Sequence, residues 1–126
     1  MPKKILVVDD DPNIVKLIKL RLEANEYLVS TAGDGEECVA KALSEKPDLI
    51  LLDLMMPKSD GYSALTGLKE IKAMSGEIPD IPVIILTALG DARVKELLRK
   101  EHIEDYVLKP FNAQELLVKV KKALGE

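Results

Sequence analysis

Short apolar runs that are continuous rather than alternating constrain this chain most. They are Ile5-Leu6-Val7-Val8, Leu49-Ile50-Leu51-Leu52, Val83-Ile84-Ile85-Leu86 and, less purely, Tyr106-Val107-Leu108. Successive side chains of a strand point to opposite faces, so an unbroken apolar run signals cover on both faces, as in a parallel sheet between helix layers. Strand candidates are Lys4–Val8, Tyr27–Ala32, Leu49–Leu52, Val83–Leu86 and Asp105–Leu108. Helical periods lie near Pro12–Ala24, Glu36–Ser44, Tyr62–Met74, Ala92–Lys100 and Ala113–Leu124. Five βα units in succession predict right-handed crossovers, helices on both faces and one α/β domain over residues 1–126.

The helix starts have chemical support. Asp11-Pro12 reads as an N-cap followed by proline at the first helical position. Asp34-Gly35-Glu36-Glu37 sets acids at the positive end of the second helix. Asn112 with Glu115 resembles a capping box. In the last helix Leu116, Leu117, Val120 and Leu124 form an apolar stripe, with Lys119, Lys121 and Lys122 around it. Ser75–Asp80, with Gly76 and Pro79, reads as a surface loop. Cys38, the single cysteine, lies in a helical pattern and reads as a buried, inert thiol.

The apolar runs end in chemistry. Ile5–Val8 runs into Asp9-Asp10, Leu49–Leu52 into Asp53, Val83–Leu86 into Thr87, and Tyr106–Leu108 into Lys109-Pro110. The carboxyl edge of a doubly wound sheet is where such folds collect their ligands. Like charges about 4 Å apart cost about 4 kcal/mol at an effective dielectric of about 20, so Asp9, Asp10 and Asp53 meeting there would take up protons or a cation. Hard oxygen ligands favour Mg2+, with Mn2+ as the alternative. Asp53 is a candidate nucleophile toward phosphorus, forming an acyl phosphate, with Lys109 and Thr87 as donors to the phosphoryl oxygens. The plainer alternatives are a helix-capping cluster for the acids, which suits Asp11 best, a surface lysine at 109 and a strand-ending residue at 87.

Other functions find little support. A net charge of −4 with dispersed lysines shows no nucleic-acid footprint. The few aromatics leave little for base stacking. No apolar stretch approaches the ~20 residues needed to cross a bilayer, and Met1-Pro2-Lys3-Lys4 leads directly into a strand candidate, so a cytoplasmic location is expected. Neither a Walker-type G-x-x-x-x-G-K-[ST] nor a complete G-x-G-x-x-G occurs. His102, the only histidine, lies outside the constellation and reads as a solvent-facing helix-end residue.

Taken in order, the motifs resemble the receiver domain of two-component response regulators, of the chemotaxis-regulator type. The match rests on Ile5-Leu6-Val7-Val8-Asp9-Asp10-Asp11, Leu51-Leu52-Asp53-Leu54-Met55-Met56-Pro57, Asp60-Gly61, Leu86-Thr87-Ala88 and Asp105-Tyr106-Val107-Leu108-Lys109-Pro110-Phe111. The resemblance implies a flavodoxin-like (βα)5 sandwich with a parallel sheet in order 2-1-3-4-5. It implies Asp53 as phosphoacceptor, and Mg2+ held by Asp9, Asp10, Asp53 and the Met55 backbone carbonyl. It further implies Thr87 and Lys109 as phosphoryl-sensing residues, a cis Lys109-Pro110 bond, and Tyr106 as a switch aromatic rather than a plain edge-strand tyrosine, with Ala88 leaving room for it to turn.

The implied function is a phosphorylation-activated switch rather than an enzyme acting on external substrates. A sensor histidine kinase or phosphotransfer protein would be the donor, and a protein target would read the face of the fourth helix, fifth strand and fifth helix. A phosphorylation-dependent homodimer through the last-helix face is a further option. The rivals are a phosphorylation-independent docking receiver and a Mg2+-dependent aspartyl phosphatase. A stand-alone regulator and a receiver belonging to a longer chain both remain open. Glu26 and His102 stand where relatives often carry glycine after the first and fourth helices, and Asn25 can tolerate the left-handed conformation at the first. Met55 and Leu89 are apolar at positions bordering the attacking water, which predicts a longer-lived acyl phosphate than in relatives with polar residues there.

Overall fold

The continuous apolar runs fold into strands covered on both faces. A computed structural model of the protein describes residues 2–53, 67, 81–87 and 103–126. The elements are β1 (Lys4–Val8), α1 (Pro12–Ala24), β2 (Leu28–Ala32), α2 (Gly35–Glu45), β3 (Leu49–Asp53), β4 (Val83–Thr87), β5 (Asp105–Leu108) and a C-terminal helix (Ala113–Ala123). The strands pair in parallel in the order β2-β1-β3-β4-β5, the order expected of the flavodoxin-like fold. The expected helices at Tyr62–Met74 and Ala92–Lys100, the Ser75–Asp80 loop and His102 lie outside the described residues, save Gly67, which is helical.

Period-two alternation divides the strands between two cores. Ile5, Val7, Leu49, Leu51, Ile84, Leu86 and Val107 face one way, against Ile18 and Leu22 of α1 and Leu116, Leu117 and Val120 of the C-terminal helix. Leu6, Val8, Ile50, Leu52, Val83 and Ile85 face the other way, against Cys38 and Ala42 of α2. All five residues of β3 and of β4 are buried. Each large aliphatic so buried contributes about 1.5–3 kcal/mol, which pins the register of the strands that end in polar residues. The Cys38 thiol is fully enclosed, and burial pushes its pKa up to about 12.

The caps follow the expected chemistry. The Asn13 N–H donates to Asp11 Oδ1 at 2.9 Å, with Pro12 opening α1. At α2 the Glu37 N–H donates to Asp34 Oδ1 at 2.8 Å while Glu37 Oε1 accepts from the Gly33 N–H at 2.7 Å. The Glu115 N–H donates to Asn112 Oδ1 at 2.7 Å. At the end of α1, however, Glu26 and not Asn25 takes the left-handed conformation (φ 69°), while Asn25 sits at φ −103°. The Glu26 N–H bonds the Glu23 carbonyl and the Tyr27 N–H bonds the Leu22 carbonyl, a Schellman closure whose geometry demands positive φ at Glu26. Tyr27 is thereby drawn into the helix end, so β2 begins at Leu28 rather than Tyr27, paired with Lys4. The Tyr27 hydroxyl donates to the Glu126 carboxylate, tying this turn to the end of the chain.

Candidate functional site

The parallel register carries the polar ends of β1, β3, β4 and β5 to one sheet edge. Val8 pairs with Leu52, and Asp53 pairs with Leu86, so Asp9, Asp53 and Thr87 are the next residues out on adjacent strands. The Asp9 N–H continues the ladder to the Ala32 carbonyl at 3.2 Å, and the Lys109 N–H does so to the Thr87 carbonyl at 2.8 Å. Asp9 Oδ1 also accepts from the Asp11 N–H at 3.0 Å, which fixes the turn into α1. The Lys109-Pro110 peptide is cis, as expected.

Three carboxylates meet at this edge. Ligand oxygens of Asp9, Asp10 and Asp53 lie within 4.8 Å of one another. Asp9 and Asp53 are buried and Asp10 is exposed. At an effective dielectric of about 20, each like pair at that separation repels by about 3 kcal/mol. Lys109 offsets part of this: its Nζ lies 2.8 Å from Asp9 Oδ2 and 3.4 Å from Asp53 Oδ2. Burial alone pulls the lysine pKa down, but the hydrogen bond and charge of Asp9, followed by Asp53, hold it above the ordinary lysine value. Three carboxylates and one ammonium leave two formal negative charges, the complement of a divalent cation. The all-oxygen donor set fits a hard one such as Mg2+.

The site opens onto a groove of about 470 Å³ lined by Asp9, Asp10, Pro12, Val15, Lys16, Lys19 and Thr31 among others. Thr87 is fully buried at the end of β4. Tyr106 stands back from the acidic edge, half-buried against the second core. Met55, Ala88 and Leu89 lie outside the described residues. The reading of the sequence missed Lys119, whose ammonium lies 5.1 Å from the centroid of the Tyr106 ring. Its helical position marked it only as a flank of the apolar stripe.

This geometry agrees with what comparison finds. Residues 5–121 match the model of the response regulator receiver domain. The chain belongs to that family. It is a receiver domain of two-component signalling, and receiver domains are phosphoacceptors that bind Mg2+ at an acidic pocket. Among its relatives, the alkaline phosphatase synthesis transcriptional regulatory protein PhoP of Bacillus subtilis is 44% identical over 124 residues, covering 98% of this chain and 49% of PhoP. The chain spans about half the length of the curated relatives it matches. The chemotaxis protein CheY4 of Vibrio cholerae superimposes with a TM-score of 0.87 at 28% identity, covering 98% of this receiver and all of CheY4. The BeF3-activated DrrB receiver domain superimposes with a TM-score of 0.83 at 35% identity over the full length of both chains. No helix among the described residues of this receiver is long and apolar enough to cross a membrane.

Proposed function

We propose that this receiver takes a phosphoryl group on Asp53 from a histidine kinase or phosphotransfer protein and switches a protein-binding face in response. A carboxylate oxygen of Asp53 forms the bond to phosphorus as the P–N bond to the donor histidine breaks, the leaving imidazole taking up a proton. Asp9, Asp10, Asp53 and the Met55 carbonyl would hold Mg2+, which when bound would supply positive charge to the phosphoryl oxygens. The Lys109 ammonium and Thr87 hydroxyl take further phosphoryl oxygens, so catalysis is by positioning and electrostatics rather than by an added acid or base. Tyr106 follows Thr87, and β5 with the C-terminal helix and the fourth helix forms the face a downstream protein reads. The apolar Met55 and Leu89 leave the attacking water unoriented, which lengthens the life of the acyl phosphate.

The observation that carries this reading is one partly buried ammonium shared between two of three clustered carboxylates at the carboxyl edge of the sheet. Incubation with a small acyl-phosphate donor tests it. Wild type should take up one phosphoryl group with Mg2+ and almost none without it, and Asp53→Asn should take none. An unlabelled wild type would mean a docking module, and turnover of unrelated phosphoesters would mean a phosphatase.

A further inference from the structure

β5 is an edge strand, so alternate residues turn their backbone groups away from β4, where another strand could add. At Tyr106 both groups are claimed by side chains. Its N–H donates to Asp105 Oδ1 at 2.8 Å, and its carbonyl accepts from Lys119 Nζ at 2.5 Å. Lys119 Nζ in turn lies 3.6 Å from Asp105 Oδ1, closing a ring of contacts. The opposite edge has a partial counterpart: Lys41 of α2 donates to the Thr31 carbonyl on β2. Among the described residues, only Lys119 adds an aromatic contact to that edge cap, its ammonium 5.1 Å from the Tyr106 ring centroid.

We infer that Asp105 and Lys119 form a staple that sets the resting position of Tyr106, making Lys119 a positioning residue for the switch. The regulatory half of this inference rests on the phosphoacceptor reading above. A ring that leaves its resting place gives up the cation above it. At a half-exposed site that contact shifts the balance of two ring positions by about two- to five-fold. By linkage, a substitution that frees the ring favours the phosphorylated state by the same factor.

The full chain labelled with 3-fluorotyrosine tests this by fluorine NMR, with Tyr106→Phe assigning one of the three tyrosine signals. Lys119→Met keeps the apolar stem and removes the charge and donors, whereas Lys119→Arg keeps a cation. Without any phosphodonor, Lys119→Met should shift the Tyr106 signal and leave that of Tyr27 in place, and Lys119→Arg should retain the wild-type position. The beryllium fluoride concentration that half-converts the Tyr106 signal with Mg2+ present should fall about two- to five-fold in Lys119→Met. A donor-free Tyr106 signal identical in wild type and Lys119→Met would overturn the staple, as would a Lys119→Arg shift equal to that of Lys119→Met. A wild-type signal unresponsive to beryllium fluoride would sink the phosphoacceptor reading and the tuning with it, while the donor-free comparison still decides the staple.

Discussion

Replacing Lys109 by methionine isolates the electrostatics of the site, because the apolar stem is kept and only the ammonium is lost. That ammonium lies 2.8 Å from Asp9 and 3.4 Å from Asp53, with both carboxylates almost wholly enclosed. At an effective dielectric of about 20 the two attractions amount to about 6 and about 5 kcal/mol before desolvation is counted. Removing one partner of a buried ion pair typically costs about 3–5 kcal/mol net, since the remaining charges stay buried without compensation. Lys109→Met should therefore lose about 3 kcal/mol at pH 7 in the absence of divalent cations, or roughly 10 °C in melting temperature for a chain of this size. Mg2+ should also stabilise the variant more than wild type, because it replaces the missing positive charge. Urea unfolding followed by far-ultraviolet circular dichroism, with and without Mg2+, measures both the metal-free loss and the gain from Mg2+. A variant as stable as wild type without metal, or an equal gain from Mg2+ in both proteins, would refute this account. In the Asp9→Asn background the same substitution should cost less, because one of its two partners is already neutral.

Three further outcomes follow from geometry elsewhere. Glu26→Gly should stabilise the protein by about 0.5–1 kcal/mol in the same unfolding assay, because glycine adopts the positive φ of the Schellman turn without a Cβ penalty. Gly67→Ala should destabilise by about 1 kcal/mol despite its helical gain, since its Cβ would fall 2.9 Å from Val39 Cγ2 on a rotamer-restricted helical valine. In a Val39→Ala background the same change should become stabilising, and persistence of the loss would show that the contact is not its cause. The Cys38 thiol, whose pKa rises from 9.0 to about 12 on folding, keeps its proton where the unfolded chain loses it. Its contribution is thus complete below pH 9 and lost between 9 and about 12, at up to about 1.4 kcal/mol per pH unit; Cys38→Ala should flatten that alkaline decline.

Much of the fold was legible because its signals are local and periodic. An unbroken apolar run needs cover on both sides, which made Leu49–Leu52 and Val83–Leu86 inner parallel strands before any contact was known. The same period places the residue after each run at the carboxyl edge, and so Asp9, Asp53, Thr87 and Lys109 could be assigned to one place. Asp11, Asp34 and Asn112 were legible as caps because a short polar side chain bonds a backbone N–H two or three residues ahead. The end of α1 was legible only in part. Asn25 is the better left-handed residue by propensity, but two closing hydrogen bonds impose that conformation on Glu26. Cooperative closure outweighs a preference of about 1 kcal/mol.

The amino-acid sequence by itself thus determined the strand order of this receiver, through its family motifs, and the set of groups that gather at one edge, through strand periodicity. Only the tertiary structure decided that Lys109 bridges Asp9 and Asp53, that Asp10 stays exposed beside two buried acids, and that Lys119 crosses from the C-terminal helix to hold Tyr106. The physical reason is range. Periodicity sets which way a side chain points within its own element, whereas an ion pair or a ring contact depends on where separate elements come to rest, which is decided by packing of both cores at once.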